Sequence, residues 1–402
     1  MTNKTQFEIA KIIQRFLPNL ESQGSLSGHQ RSMLKLMSIC KTSALGGHKE
    51  RCDNCVYTRI HFNSCGNRNC PSCQGVNKEK WIFDRLYDML PVKYFHCVFT
   101  VPSELYIYFR YNKKTLYDLM MRCVKETLLT FGYDPKQKID GKIGAVLLLH
   151  TWTQKMTYHP HVHCIVPAGG INNKEQWVHS KSNGDFLFHV FAMSRMFRGK
   201  LIAGIHQLYK NGQLKMTDQM KADYKFTKNK LYKIEWVAYA KKAFGGPQQV
   251  LEYLGRYSHK ICISNYRIVN ITHTHVTFKY LDRKTKKSKT KSIKGEDFLK
   301  LFAEHIMPKG FVKIRHIGFL SSRSKKKDLE KARKSLHADQ PPPKKKMTNR
   351  EFIKLTTGKD PYICPCCEIG EMVIISIIPA IRGSPVKIPL RTIPKDRKVN
   401  IC

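Results

Sequence analysis

Two groups of residues in this 402-residue chain are spaced for phosphoryl chemistry. The first is His159-Pro160-His161-Val162-His163. On a strand, His161 and His163 share one face while Val162 turns into the core. Two imidazoles on one side hold a divalent cation and leave positions open for phosphate oxygens. A His-x-His pair also arises without a metal, and in metal hydrolases of other folds, so it needs a partner. Tyr253 and Tyr257 supply one: at i, i+4 on a helix both hydroxyls project from the same face. Tyrosines at that spacing are more often packing residues than nucleophiles, but beside the histidines they make a coherent mechanism. A phenol titrates near about 10 and attacks poorly at neutral pH. It gains from a metal on the scissile phosphate and from cations such as Arg256 and Lys260. Attack yields a 5′-phosphotyrosine and a 3′-hydroxyl. The covalent link retains the energy of the phosphodiester, so rejoining needs no nucleotide, and the chain has no Walker-type phosphate loop. His259, next but one to Tyr257, is a proton carrier, a phosphate contact or a solvated helix-end residue.

A third group is thiol. Six of the fourteen cysteines fall between Cys40 and Cys73 and three between Cys364 and Cys367. Cys52-x-x-Cys55 and Cys70-x-x-Cys73 are two knuckles, and the spacing predicts that together they close one tetrahedral zinc site. Cys40, His48, His61 and Cys65 exceed what one ion needs; they either build a second site or pack. Cys364-Pro365-Cys366-Cys367 reads as half of a zinc ribbon whose other knuckle is missing, unless Cys402 or a histidine completes it.

These groups must be positioned by folded elements. The length predicts two or three folded units. Tyr94–Pro102 is an apolar, β-rich run closed by proline, and Ser103 caps a helix reaching about Leu129. Ile143–Trp152 and His161–Pro167 read as antiparallel strands, the second carrying the histidines. Ile171–Lys230 is poorly legible. A strand at Tyr232–Ala240, a Gly245-Gly246-Pro247 break and a helix from about Gln248, bearing both tyrosines, follow it. Ile261–Ile271 and His275–Leu281 alternate like a hairpin, and a basic turn, Asp282–Lys294, leads to a helix near Glu296–Ile306. The resulting class is α+β. Residues 1–80 are expected to form a zinc-binding domain, 81–322 the catalytic domain, 323–346 a basic linker, helical in part, and 347–402 a tail with the cysteine knuckle.

Lys and Arg number 71 against 30 Asp and Glu, a formal charge of +41, which points to a polyanionic partner. The longest apolar stretch, around Met372–Ile381, is too short to span a bilayer, so nucleic acid is favoured over membrane. The N-terminus lacks a secretion signal, which predicts a cytosolic protein with reduced thiols. Lys284, Lys286 and Lys287, within the cluster 284–294, and the cluster 325–346 are expected to contact phosphates. Those contacts set affinity, not sequence choice.

The chain resembles rolling-circle transposases of the insertion sequence 91 family, within the HUH endonuclease superfamily. The resemblance runs through Leu45–His48, Cys52–Cys55, Asn63–Gln74, Phe99–Pro102, His159–Cys164, Phe197–Lys200, Tyr253–Tyr257, Ile263–Asn265 and Arg315–Phe319. It implies an antiparallel sheet with packed helices, preceded by a small zinc-binding domain. It also implies histidine ligands on a central strand, with Mg²⁺ or Mn²⁺ between them, and Tyr253 and Tyr257 facing them. Single-stranded transposon ends are the implied partner, in a bacterial, nucleoid-associated protein. The family's metal takes a third ligand, for which His150, Gln154, His159 and His96 are candidates; the sequence does not choose among them. The alternatives are a non-catalytic zinc-finger DNA-binding protein, with structural zinc on the histidines, and a replication initiator or relaxase of the same superfamily. An acidic catalytic triad would leave both the histidines and the tyrosines without a role.

Overall fold

The computed structural model describes residues 8–242, 261–282, 284–342 and 347–381. They divide into two units. The first comprises the described residues of Met1–Lys80 and Pro343–Cys402 together with Ile263–Ile306; the second comprises those of Trp81–Cys262 together with Met307–Pro342. The chain opens with α1 (Ile9–Ser22), α2 (Gly28–Ser38), β1 (Gly47–Cys52), β2 (Thr58–Phe62) and α3 (Gln74–Leu86). It continues with β3 (Tyr94–Thr100), α4 (Tyr106–Tyr111), α5 (Lys113–Tyr133), β4 (Gly141–Trp152), β5 (Tyr158–Pro167), β6 (Gly169–Asn172) and β7 (Trp177–His179). Next come α6 (Val190–Lys210), α7 (Asp218–Lys233), β8 (Ala238–Lys242), β9 (Ile268–Ile271), β10 (His275–Leu281), β11 (Ser288–Lys294) and α8 (Gly295–Glu304). It closes with β12 (Ile314–Gly318), α9 (Lys325–Ser335), α10 (Asn349–Thr357) and β13 (Met372–Ile378). The fold is α+β, and no helix among the described residues is long and apolar enough to cross a membrane.

In the second unit an antiparallel sheet runs β7-β6-β4-β5-β3-β8, with β12 also paired to β4. Strand β4 is nearly all apolar because both of its faces are covered. Ile143, Ala145, Leu147 and Leu149 enter a large core with α5 and α6, while Val146 and Leu148 enter a smaller one. Strands β3 and β5 obey the same period of two: Phe95, Cys97 and Phe99, and Val162, Cys164 and Val166, fill the large core. A one-residue slip would drive His161 and His163 into that core and expel Val162, so burial fixes the register. Gly318, at φ +61, lets β12 close onto β4, where a Cβ would fall on the Ile143 carbonyl oxygen. Phe319 then packs on Gly144.

Several expected boundaries differ. The helical part expected in the basic linker is α9, but it docks on the domain and buries Leu329 and Ala332 in the smaller core. Its buried Arg333 donates to the carbonyls of Tyr87, 2.6 Å, and Met89, 3.2 Å. Composition misled here because a helix docking on a formed surface needs few apolar residues of its own. The helix expected from Ser103 is broken at Asn112, whose amide donates to Tyr108 and Lys215 carbonyls. Tyr232 lies in α7, and the strand starts only at Ala238. Residues 171–230, illegible in sequence, hold β7, α6 and most of α7.

In the first unit, α1 buries Ile9, Ile12, Ile13, Phe16, Leu17 and Leu20 at helical spacing. Gly295, at the start of α8, leaves room for the Phe16 ring. Strands β9, β10 and β11 form one sheet, and β13, β1 and β2 another. Most of the expected basic turn is therefore strand: β11 pairs with β10 from His275↔Lys294 to Leu281↔Ser288, which leaves only a short tip. Lysines at 289, 291 and 294 had hidden the strand. The expected C-terminal tail also belongs here, since β13 pairs along β1 from Gly47↔Ile378 to Cys52↔Met372.

Candidate metal centre

Facing pairs on β4, β5 and β3 place His150 opposite His161, and Val98 opposite His163. The imidazoles lie on the sheet face away from the large core. His150, His161 and His163 each bring one ligand atom within 4.8 Å of the others, and all three are buried. Their rings stand edge to face: His150 to His163 at 4.7 Å between centroids, His161 to His163 at 4.8 Å and His150 to His161 at 5.6 Å. His150 also stacks on Trp152 at 4.7 Å.

Hydrogen bonds set one tautomer and back a second imidazole. His161 Nδ1 donates to its neighbour, the His159 carbonyl, at 2.7 Å, so Nε2 carries the lone pair. His163 Nδ1 lies 2.8 Å from His96 Nε2, and His96 Nδ1 lies 3.3 Å from the Tyr239 hydroxyl. Burial pushes His96 down to about 4, so it is neutral, and its Nε2 can accept from His163 Nδ1–H when His163 ligates through Nε2. A cation at this centre would meet His161 already in the ligating tautomer and His163 backed by a partner able to support it. Of the three histidine candidates for a third position, only His150 joins the group. His159 is held by the Tyr106 hydroxyl at 2.6 Å, His96 stands behind His163, and Gln154 lies in the β4–β5 connection.

The cysteines form two clusters, not one. Cys40, Cys65, Cys70 and Cys73 make the first; Cys52, Cys55, Cys364 and Cys367 make the second. This corrects the expected sharing of one ion by the Cys52/Cys55 and Cys70/Cys73 knuckles. A Cys-x-x-Cys spacing shows that two thiolates reach one ion, but long-range pairing decides which distant pair completes it. In the first cluster the sulfurs of Cys40 and Cys73, Cys65 and Cys73, and Cys40 and Cys70 are 3.5, 3.6 and 3.6 Å apart. His48 and His61 join neither cluster; both face the buried Glu50 carboxylate, at 3.3 and 3.4 Å, together with Arg59.

Tyr253, Arg256, Tyr257, His259, Lys260 and Cys402 lie outside the described residues. Lys284, Lys286 and Lys287 are exposed at the β10–β11 tip.

An α+β fold with three buried histidines converging on an antiparallel sheet in one unit, and two four-cysteine clusters in the other, has the donor sets of a metal-binding protein with a structural zinc domain. Sequence comparisons carry this further. The family model described as "Transposase zinc-binding domain" matches residues 12–101, and that described as "Putative transposase" matches 144–328. The chain is 36% identical over 389 residues to "Putative transposase y4qJ" of Sinorhizobium fredii (strain NBRC 101917 / NGR234), covering 94% of this chain and 97% of that one. It is 28% identical over 357 residues to "Transposase for insertion sequence element IS801" of Pseudomonas savastanoi pv. phaseolicola, covering 87% and 84%. The chain belongs to the insertion sequence 91 family of transposases. No solved structure matches it.

Proposed function

We propose that this transposase cleaves and rejoins single-stranded DNA, with Tyr253 and Tyr257 as nucleophiles, at a divalent cation held by His150, His161 and His163. The convergence of three buried imidazoles, His161 in a fixed ligating tautomer, carries the reading. An all-imidazole donor set suits Mn²⁺ better than Mg²⁺, which prefers oxygen ligands. Such a cation, when bound, supplies Lewis acidity toward the scissile phosphate.

The chain's own residues do the rest. The tyrosine hydroxyl attacks phosphorus: the Oη–P bond forms, the bond to the 3′ oxygen breaks, and the phenol's proton ends on the 3′-hydroxyl, relayed by His259 or water. Arg256 and Lys260 favour the phenolate by their charge. The second tyrosine accepts the next strand, and attack of a 3′-hydroxyl on the phosphotyrosine reverses the step and rejoins DNA. Lys284, Lys286 and Lys287 hold the DNA backbone without selecting sequence.

The test is a labelled single strand incubated with protein and Mn²⁺. A covalent adduct is expected from the native protein and none from the Tyr253→Phe/Tyr257→Phe variant; an adduct from that variant refutes the assignment. His161→Ala or His163→Ala should abolish cleavage while retaining DNA binding.

A further inference from the structure

We propose that Cys52, Cys55, Cys364 and Cys367 form a second structural zinc site that ties the C-terminal segment to the N-terminal zinc-binding domain, which is complete only once Cys364 and Cys367 have been made. The matched zinc-binding domain ends at residue 101, so two of these four ligands lie far beyond it. Cys55 and Cys364 are separated by 309 positions.

Sulfur spacing identifies the chemistry. Cys52 and Cys367 sulfurs are 3.7 Å apart, as are those of Cys55 and Cys364. Four Zn–S bonds of about 2.3 Å at tetrahedral angles place neighbouring sulfurs about 3.8 Å apart. A disulfide needs about 2.05 Å. The two knuckles are also built alike. Cys52 Sγ accepts from the backbone N–H of Asn54 and Cys55, at 3.3 and 3.4 Å. Cys364 Sγ accepts from Cys366 N–H and Cys367 Sγ from Gly370 N–H, both at 3.4 Å. Such donors stabilise thiolate over thiol.

The approach of the knuckles is specified in detail. A Cβ on Gly370 would lie 2.5 Å from Cys52 Sγ and 2.6 Å from Asn54 Cβ. Asp53 N–H donates to the Glu371 carbonyl at 3.0 Å, and Glu371 N–H returns a bond to the Asp53 carboxylate at 2.9 Å. Cys52, Cys55 and Cys364 are fully buried, whereas Cys366 is exposed and stands outside the set. Among the described residues, the apolar cluster here has, apart from its cysteines, Met372 and Tyr57, too little to close the knuckles without a metal.

The experiment counts zinc by elemental mass spectrometry in the full-length protein, purified under reducing conditions. Counted in a His161→Ala/His163→Ala background, which removes the histidine centre as a further zinc site, we expect two ions per chain, halved to one when Cys364→Ser/Cys367→Ser is added and unchanged when Cys366→Ser is added. One ion in that background, or two after Cys364→Ser/Cys367→Ser, overturns the site. Should the double variant fail to fold, alkylation mapping of the native protein decides. Cys364 and Cys367 should be protected until zinc is chelated, while Cys366 reacts throughout. Early modification of Cys364 and Cys367, or a disulfide joining the knuckles, overturns the proposal. None of these readouts involves DNA cleavage, so failure of the tyrosine mechanism would leave them untouched.

Discussion

His96→Phe tests the logic of the histidine centre most directly. Phenylalanine keeps the ring that lies parallel to His163 at 5.1 Å but removes the Nε2 acceptor 2.8 Å from His163 Nδ1. Both histidines are buried, so the orphaned N–H loses about 1–3 kcal/mol of hydrogen bonding. His163 can recover part of that by changing tautomer or turning its ring, and either change spoils ligation. Loss of such a supporting partner lowers metal affinity by about 10–100-fold, or about 1.4–2.7 kcal/mol. The assay is nicking rate against Mn²⁺ concentration, with direct calorimetric titration of Mn²⁺ beside it. Half-saturation should rise by about 10–100-fold while the rate at saturating Mn²⁺ stays near native, because His96 itself touches no reacting atom. His96→Gln, which offers an acceptor oxygen, should recover much of the affinity. An unmoved half-saturation, or a rate loss that no Mn²⁺ concentration restores, would refute the role assigned to His96.

Other perturbations address the frame around the site. Gly318→Ala should cost about 2–4 kcal/mol and lower Tm by roughly 5–15 °C. Its Cβ would meet the Ile143 carbonyl, whereas Gly310→Ala, at φ +73 but with open space around it, should cost about 1 kcal/mol. Equal losses in thermal melts would argue against the tight β12–β4 closure. Burial, with Arg85 beside it, pushes His316 down to about 4. The unfolded chain then binds the proton more readily, so stability falls as pH drops from about 6.5 to about 4, by about 3 kcal/mol in full, and is unaffected above that window. His316→Gln should remove this part of the acid slope in urea melts, while His96 supplies a similar share of its own; an unchanged slope contradicts the burial argument. Lys284→Ala with Lys287→Ala should weaken binding to single strands of any sequence and reduce the log–log salt slope by about 1.4, roughly 0.7 for each phosphate no longer neutralised. A sequence-selective loss in a filter-binding series would point to base readout at this tip instead.

Local pattern was enough to recognise much of the chemistry. The alternation His161-Val162-His163 follows from the two-residue period of a strand, and Val162 does sit in the large core with the two imidazoles on the other face. Each Cys-x-x-Cys announced a pair of ligands because the turn that joins them is only four residues long. The third histidine was another matter. That His150, rather than His159 or His96, converges on His161 and His163 required the β4–β5 register that sets His150 opposite His161, and that register depends on which residues the two cores bury. The cysteine partners were equally closed to inspection, since pairing Cys52 and Cys55 with Cys364 and Cys367 needs β13 laid along β1 from more than 300 residues away. The docking of the lysine-rich α9, and the strand β11, were hidden for a related reason: each is held by a surface supplied from elsewhere in the chain rather than by its own apolar content. By itself the sequence determined ligand types, short-range geometry and the α+β class, because these are set by backbone periodicity and side-chain chemistry. Only the tertiary structure decided which distant residues meet, because that is settled by burial and strand pairing over the whole chain.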